Sequence, residues 1–233
     1  MKNSFLNTTL LVFLLVVGFP CLSNAQDWGQ LNHFKEANKE MNAIPNNDDR
    51  IVFFGNSITI GWLHSMPSFF DGKPYINRGI SGQTTPQMLV RFRQDVIDLK
   101  PKVVVILAGT NDIAGNTGPM TLEQIRDNII SMTQLARVNN IQVVLSSVLP
   151  ADEYRWKPGM QPAIKIPKLN AMIQAYSLSN NVVYLDYFSA LVNTNNGMDK
   201  EFAEDGVHPT TKGYEIMAPL AIKAIEKALS LSK

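Results

Sequence analysis

Two patterns of apolar residues alternate along this chain. Short uninterrupted runs come first: "RIVFFG" (50–55), "PYINRG" (74–79), "KVVVILAG" (102–109), "IQVVLSS" (141–147) and "NVVYLD" (181–186). Runs of this length, apolar on successive positions, predict strands buried on both faces, as in a parallel sheet. Between them the apolar positions recur at helical spacing. In "TLEQIRDNIISMTQLARVNN", Leu122, Ile125, Ile129, Met132 and Leu135 or Ala136 form one stripe. Thr121 and Gln124 ahead of that stripe form a capping box, each side chain covering a free backbone N–H of the first turn. From Thr210 onward, Met217, Ala221 and Ile225 mark a closing helix, with Pro219 expected to bend it or sit near its start. Residues 27–42 predict a leading helix. Five strands alternating with helices define an α/β class: a three-layer α/β/α sandwich around a parallel sheet. No internal repeat or interdomain linker interrupts it.

The first residues change the picture. "MKNSFLNTTLLVFLLVVGFPCLSNAQ" has an early Lys, an apolar run from Leu10 to Val17, and the small-residue ending Ser23-Asn24-Ala25. This is the pattern of a secretory signal over residues 1–25, cleaved before Gln26. Its apolar run is too short to span a bilayer. Cys21 could alternatively carry a lipid, but Pro20 stands where a small residue is expected. The expected product is a single exported domain, 26–233, periplasmic or extracellular and with no stable membrane insertion. The one cysteine leaves with the signal, which excludes disulfides and Cys-based metal sites. A formal charge of +1, with no basic block, gives no electrostatic grip on nucleic acid. Nothing in the sequence sets the oligomeric state.

In an open parallel sheet, ligands bind beyond the carboxyl ends of the strands. Each strand here is followed by candidate chemistry: Gly55-Asn56-Ser57, then "NRGISGQTT" (77–85), "GTNDIAG" (109–115), the aromatic loop "LPADEYRWKPGMQP" (149–162), and "DGVHP" (205–209). A serine hydroxyl needs a base to become a nucleophile. The chain has three histidines. His33 lies in the leading segment. His64 follows Ser57 two turns along the same helix, expected to point away from it. His208 has Asp205 three residues before it, able to hold one ring nitrogen while the other faces Ser57. Ser57 N–H at a helix start, the N–H of Gly82 and the amide of Asn111 are candidate oxyanion donors. Trp62, Tyr154 and Trp156 are candidate substrate contacts. Taken singly, each glycine or asparagine could be an ordinary turn residue.

Together, "FFGNSIT", "NRGISGQTT", "LAGTND" and "DGVHPTTKGY" resemble, in order and spacing, the four blocks of the SGNH hydrolases, also called the GDSL esterase/lipase family. The resemblance spans about residues 50 to 225. It implies Ser57 as nucleophile, His208 as base, Asp205 as third triad member, and Gly82 and Asn111 as oxyanion donors. It implies a flavodoxin-like five-stranded sheet and a serine esterase needing neither cofactor nor metal. Short acyl groups on carbohydrates resemble the substrates of its secreted bacterial members. Lysophospholipase or thioesterase activity, a glycan-binding domain without catalysis, and acyl transfer to a sugar are alternatives. One departure stands out: Asn56 replaces the usual acid before the serine, which questions any role for a carboxylate there. Thr59 replaces the second glycine of a Gly-x-Ser-x-Gly elbow, which disfavours an α/β-hydrolase. A metal site built from Asp112, Asp205 and His208 would lack the paired spacing such sites use.

Overall fold

The computed structural model describes residues 27–45 and 49–231. The expected signal, 1–25, lies outside them. In chain order the elements are α1 (Lys35–Ala43), β1 (Ile51–Gly55), α2 (Ser57–Ser65), β2 (Tyr75–Gly79), α3 (Thr85–Asp95), β3 (Val103–Leu107), α4 (Thr110–Ile113), α5 (Leu122–Val138), β4 (Gln142–Ser146), α6 (Pro162–Ser179), β5 (Val183–Leu185), α7 (Phe188–Leu191) and α8 (Thr211–Ser230). All five expected strands form, and every pairing is parallel, in the order β2-β1-β3-β4-β5.

The alternation of side chains along each strand builds two cores. Val52 and Phe54 of β1, with Val104 and Ile106 of β3, face Met88 and Phe92 of α3, Ile125 and Met132 of α5, and Leu169 of α6. Ile51 and Phe53, with Val103 and Val105, face Ile58 and Trp62 of α2 and Met217, Ala221 and Ile225 of α8. Strands buried on both sides explain why the sequence shows unbroken apolar runs rather than alternation. The Thr121–Gln124 capping box forms, with Thr121 N–H donating to Gln124 Oε1 at 2.9 Å and Gln124 N–H to Thr121 Oγ1 at 3.2 Å.

Two helices differ from expectation. The leading helix starts only at Lys35. Asp27 Oδ1 and Oδ2 accept from the N–H groups of Leu31 and Asn32, and Gln30 adopts a left-handed φ of 54°, so residues 27–34 turn instead of coiling. In contrast, α8 runs on through Pro219, which sits nine residues in, past its first turns. The carbonyl of Glu215 has no Pro N–H to bond, but both residues are exposed, so water can serve it.

The chain leaves β1 for β2 on one side and later returns to place β3 on the other. That reversal opens a crevice between the carboxyl ends of β1 and β3, where ligands of doubly wound sheets bind. A separate concavity of about 450 Å³, lined by Lys102, Arg137, Asn140 and Gln142, lies at the amino ends of β3 and β4. It is at the opposite end of the sheet from Ser57.

Candidate active site

Gly55 ends β1 because the next turn folds back over it. A Cβ there would collide with Thr59 Oγ1 and meet the Leu107 carbonyl at 2.7 Å. Asn56 then caps α2, its Oδ1 accepting from Ile58 N–H at 3.0 Å. The amide therefore supplies the same cap oxygen that an acid would, while its Nδ2 is buried with no hydrogen-bond partner among the described residues. Ser57 follows as the first helical residue, with its N–H among those left free by the helix start.

From 151 residues further along, His208 meets it. Ser57 Oγ lies 2.9 Å from His208 Nε2, and His208 Nδ1 lies 2.6 Å from Asp205 Oδ2. An ionised carboxylate can only accept, so Nδ1 carries the proton and the Nε2 lone pair faces the serine hydroxyl. Asp205 Oδ1 also accepts from His208 N–H at 2.8 Å and Val207 N–H at 2.9 Å. Burial pushes the Asp205 carboxyl up, but these bonds and the imidazole outweigh it and hold it below its ordinary range. The side chains of His208 and Asp205 remain 45% and 50% exposed.

The β2–α3 loop and α4 come to the same rim. Gly82 adopts a left-handed φ of 77°, which favours glycine there although nothing crowds its Cβ position. Asn116 Nδ2 donates to the Gly82 carbonyl at 3.1 Å. Asn111, buried, donates one amide hydrogen to the Gln83 carbonyl at 2.9 Å, leaving the other to donate elsewhere. Asp112, the neighbour of Asn111, bonds to a different element. Asp112 Oδ1 accepts from Thr85 N–H at 2.8 Å and Thr85 Oγ1 at 2.6 Å, tying α4 to the start of α3. Burial pushes this carboxyl up to about 6, against the lowering effect of the Thr85 bonds.

Behind the loop stands a charged network that the sequence reading missed. Arg91 of α3 is fully buried and donates to Gln83 Oε1 at 2.6 Å, Asp95 Oδ2 at 3.0 Å and the Gly55 carbonyl at 3.0 Å. Its guanidinium stacks over Phe54, 4.2 Å from the ring centre. One cation thus joins the residue two before Ser57 to the residue after Gly82. The available signal was Arg91 and Asp95 four apart on the buried side of an amphipathic helix, where unpaired charges do not belong.

Two of the three aromatic candidates are corrections. Trp62 is 2% exposed and packs on Phe69 and Tyr214, with ring centres 4.3 and 4.9 Å away. Five residues of helix turn it about 140° away from Ser57, into the core. Tyr154 is completely buried, and burial pushes its phenol up. Trp156 stacks on Tyr154 at 4.9 Å and shows its other face to solvent, 49% exposed. His64 lies exposed in the last turn of α2. Seven residues put it on nearly the same helix face as Ser57 but about 10 Å along the axis, so distance rather than direction separates them. Among the described residues no three His, Cys, Asp or Glu side chains gather closely enough to hold a metal ion.

A hydroxyl, an imidazole and a carboxylate in series, beside N–H donors at the switch point of a parallel sheet, define a site of serine-hydrolase type. The chain belongs to the GDSL-like lipase/acylhydrolase family, whose model matches residues 53–216 and so contains the serine and histidine motifs. The fold is that of the family's solved members. A candidate acylhydrolase of Bacteroides fragilis is 45% identical, with a TM-score of 0.84 over 88% of this chain and 99% of that one. The uncharacterized lipoprotein YqeF of Bacillus subtilis is 31% identical over 120 residues, 44% of this chain and 49% of that protein. The human platelet-activating factor acetylhydrolase IB subunit alpha2 is 29% identical over 149 residues, 62% of each chain. This chain thus spans about half to three-fifths of those two relatives. No described helix is long and apolar enough to cross a membrane.

Proposed function

We propose that this protein is a serine esterase that cleaves short acyl esters, acetyl groups on carbohydrates foremost, through an acyl-enzyme. The observation that carries this reading is the Ser57–His208–Asp205 series, closed at 2.9 and 2.6 Å. Ser57 Oγ attacks the ester carbonyl as Nε2 of His208 takes its proton. The Ser57 N–H, the Gly82 N–H and the free hydrogen of the Asn111 amide stabilise the oxyanion. Each such donor is worth about 10²–10³ in kcat. Collapse breaks the bond to the alcohol, which leaves with the proton from Nε2. Water then attacks the acyl-Ser57 ester, giving its proton to Nε2, and the acid departs as Ser57 recovers its hydrogen. Asp205 stays ionised, orienting the ring and offsetting the imidazolium charge.

Two features support a short acyl group. The space beneath α2 is filled by Trp62, Phe69 and Tyr214, whose hydroxyl donates to the Ile58 carbonyl at 2.7 Å. The human relative is named for acetyl hydrolysis. The half-exposed His208 leaves its side open to a bulky alcohol, and Trp156, exposed on the loop after β4, is the candidate apolar face for it. The N-terminal pattern supports export, with residues 26–233 as the acting domain.

Hydrolysis of p-nitrophenyl esters from acetate to octanoate tests this. Acetate should give the highest kcat/KM, and Ser57→Ala should abolish turnover. A serine-less variant of equal activity, or rates that climb with chain length, would overturn the proposal.

A further inference from the structure

Residues 27–34 form a strap across α3, and its construction is unusual for a segment without regular structure. Three glutamines grip its carbonyls: Gln87 Nε2 donates to Trp28 O at 2.8 Å, Gln83 Nε2 to Gly29 O at 3.1 Å, and Gln94 Nε2 to Leu31 O at 2.6 Å. Gly29 is buried against Val90, close enough that a Cβ would meet Val90 Cγ1 at 2.9 Å. The backbone is thus fixed, yet the Trp28 side chain stays 45% exposed. It lines a groove of about 420 Å³ together with the apolar Pro86 and Met120 and the polar Gln124, Asp127 and Asn128.

Each polar group in the groove is anchored through one atom and leaves another to bond outward. Gln124 Oε1 is held by Thr121 N–H, which leaves its NH₂ to donate. Asp127 Oδ1 is held by Arg126, which leaves Oδ2 to accept. Asn128 Nδ2 donates to Thr85 Oγ1, which leaves its Oδ1 to accept. The groove also joins the reaction centre. Thr117, on its lining, bonds Thr84 at 2.9 Å, and its neighbour Asn116 bonds the Gly82 carbonyl. Gln83, which grips the strap, is the same residue whose carbonyl receives Asn111.

We infer that this groove is a sugar-binding subsite, with Trp28 as stacking platform, for a saccharide unit beyond the one bearing the ester. This rests on the esterase reading above and names the alcohol side of its substrate. The chemistry decides the ligand class. A hydrocarbon tail laid here would strip water from Asp127 and two amides without replacing their hydrogen bonds, which is costly. A pyranose ring has an apolar C–H face for the indole and hydroxyls around its edge for a carboxylate, an amide oxygen and an amide NH₂. Fixing the backbone at Trp28 beforehand removes the cost of ordering the segment that carries it, leaving only the side chain to settle on binding.

Two measurements test it. In kinetics, acetylated xylose is compared with acetylated xylotetraose, using p-nitrophenyl acetate as reference. The ratio of kcat/KM for the tetrasaccharide to that for p-nitrophenyl acetate should fall about tenfold in Trp28→Ala, through KM, and recover in part in Trp28→Phe. In calorimetry, Ser57→Ala protein is titrated with unacetylated tetrasaccharides of β-1,4-linked xylose, mannose or N-acetylglucosamine. At least one should bind saturably, and adding Trp28→Ala should weaken it by the same factor. Saturable, Trp28-dependent binding without any turnover would sustain the subsite while removing the esterase. Turnover with no saccharide binding, or binding indifferent to Trp28, would overturn the subsite and leave the esterase standing.

Discussion

The two halves of the active site are built in opposite ways. On the side of Gly82 and Asn111, the supporting groups are buried and cross-bonded: Arg91, Asp95, Gln83, Thr85 and Asp112 are each no more than 2% exposed. On the other side, His208 and Asp205 stand about half exposed on a loop, fixed to one another by two hydrogen bonds, with a third from Val207 N–H to Asp205. The division follows the work each side must do. Oxyanion donors act by being in place before charge develops, so rigidity and low dielectric help them. The imidazole must exchange protons with a departing alcohol and an incoming water, so it needs access. Local bonds across Asp205-Gly206-Val207-His208 suffice to aim the ring without burying it.

The largest expected effect separates chemistry from stability. His208→Ala should lower kcat on p-nitrophenyl acetate by about 10⁴-fold or more. Its melting temperature should stay within about 2 °C of wild type, because an exposed side chain leaves little behind. A large drop in melting temperature would mean that the loop carries weight in the fold and would erase the contrast.

The next prediction reverses the pattern. Arg91→Met leaves Asp95 buried without its ion-pair partner, and strips a donor from Gln83 and the Gly55 carbonyl. Removing one member of such a pair costs about 3–5 kcal/mol, a fall on the order of 10 °C in a thermal melt. The folded fraction should keep its Ser57–His208 pair, so covalent labelling by a fluorophosphonate should persist below the melt. Wild-type stability in Arg91→Met would show that the network is not what holds this side.

The smallest effect concerns the sign of a pH dependence. Burial raises Asp112 from 3.8 to about 6, so between those values the folded protein binds more protons than the unfolded chain. Its contribution to stability is complete below about pH 4 and is lost as pH rises through about 6. Asp205, held below its ordinary range, works in the opposite sense: its contribution is lost as pH falls. The stability of wild type minus that of Asp112→Asn should therefore decrease from pH 4 to pH 6, by at most about 3 kcal/mol. Paired thermal melts read the difference. A flat or rising difference would mean that Asp112 is ionised across the range and that burial does not govern it.

Much of this architecture was legible in the chain because it depends on neighbours in sequence. The run Val103 to Ala108 had to be a central strand, since six consecutive apolar residues can be buried only where both faces are covered. Thr121 and Gln124 marked a helix start because capping acts over three residues. The motif residues were legible one by one: Ser57, Gly82 and Asn111 just past strand ends, Asp205 and His208 in the loop before α8. Residues 27–34 were misread as helix because Asp27 and Gln30 make a turn that helical periodicity does not register. Trp62 and Tyr154 were misjudged because an aromatic near a motif looks alike whether it faces solvent or core. Helix phase and loop path decide that.

By itself, then, the order of residues determined the alternation of strands and helices, the caps, and which groups would end up at strand ends. These are short-range matters of period, backbone preference and burial. The tertiary structure alone decided that β3 lies beside β1, that Ser57 meets a ring 151 residues away, and that Arg91 joins Gly55 to Gln83. Such convergence depends on sheet order and on the packing of two layers. Those are properties of the whole chain, and no local window of sequence contains them.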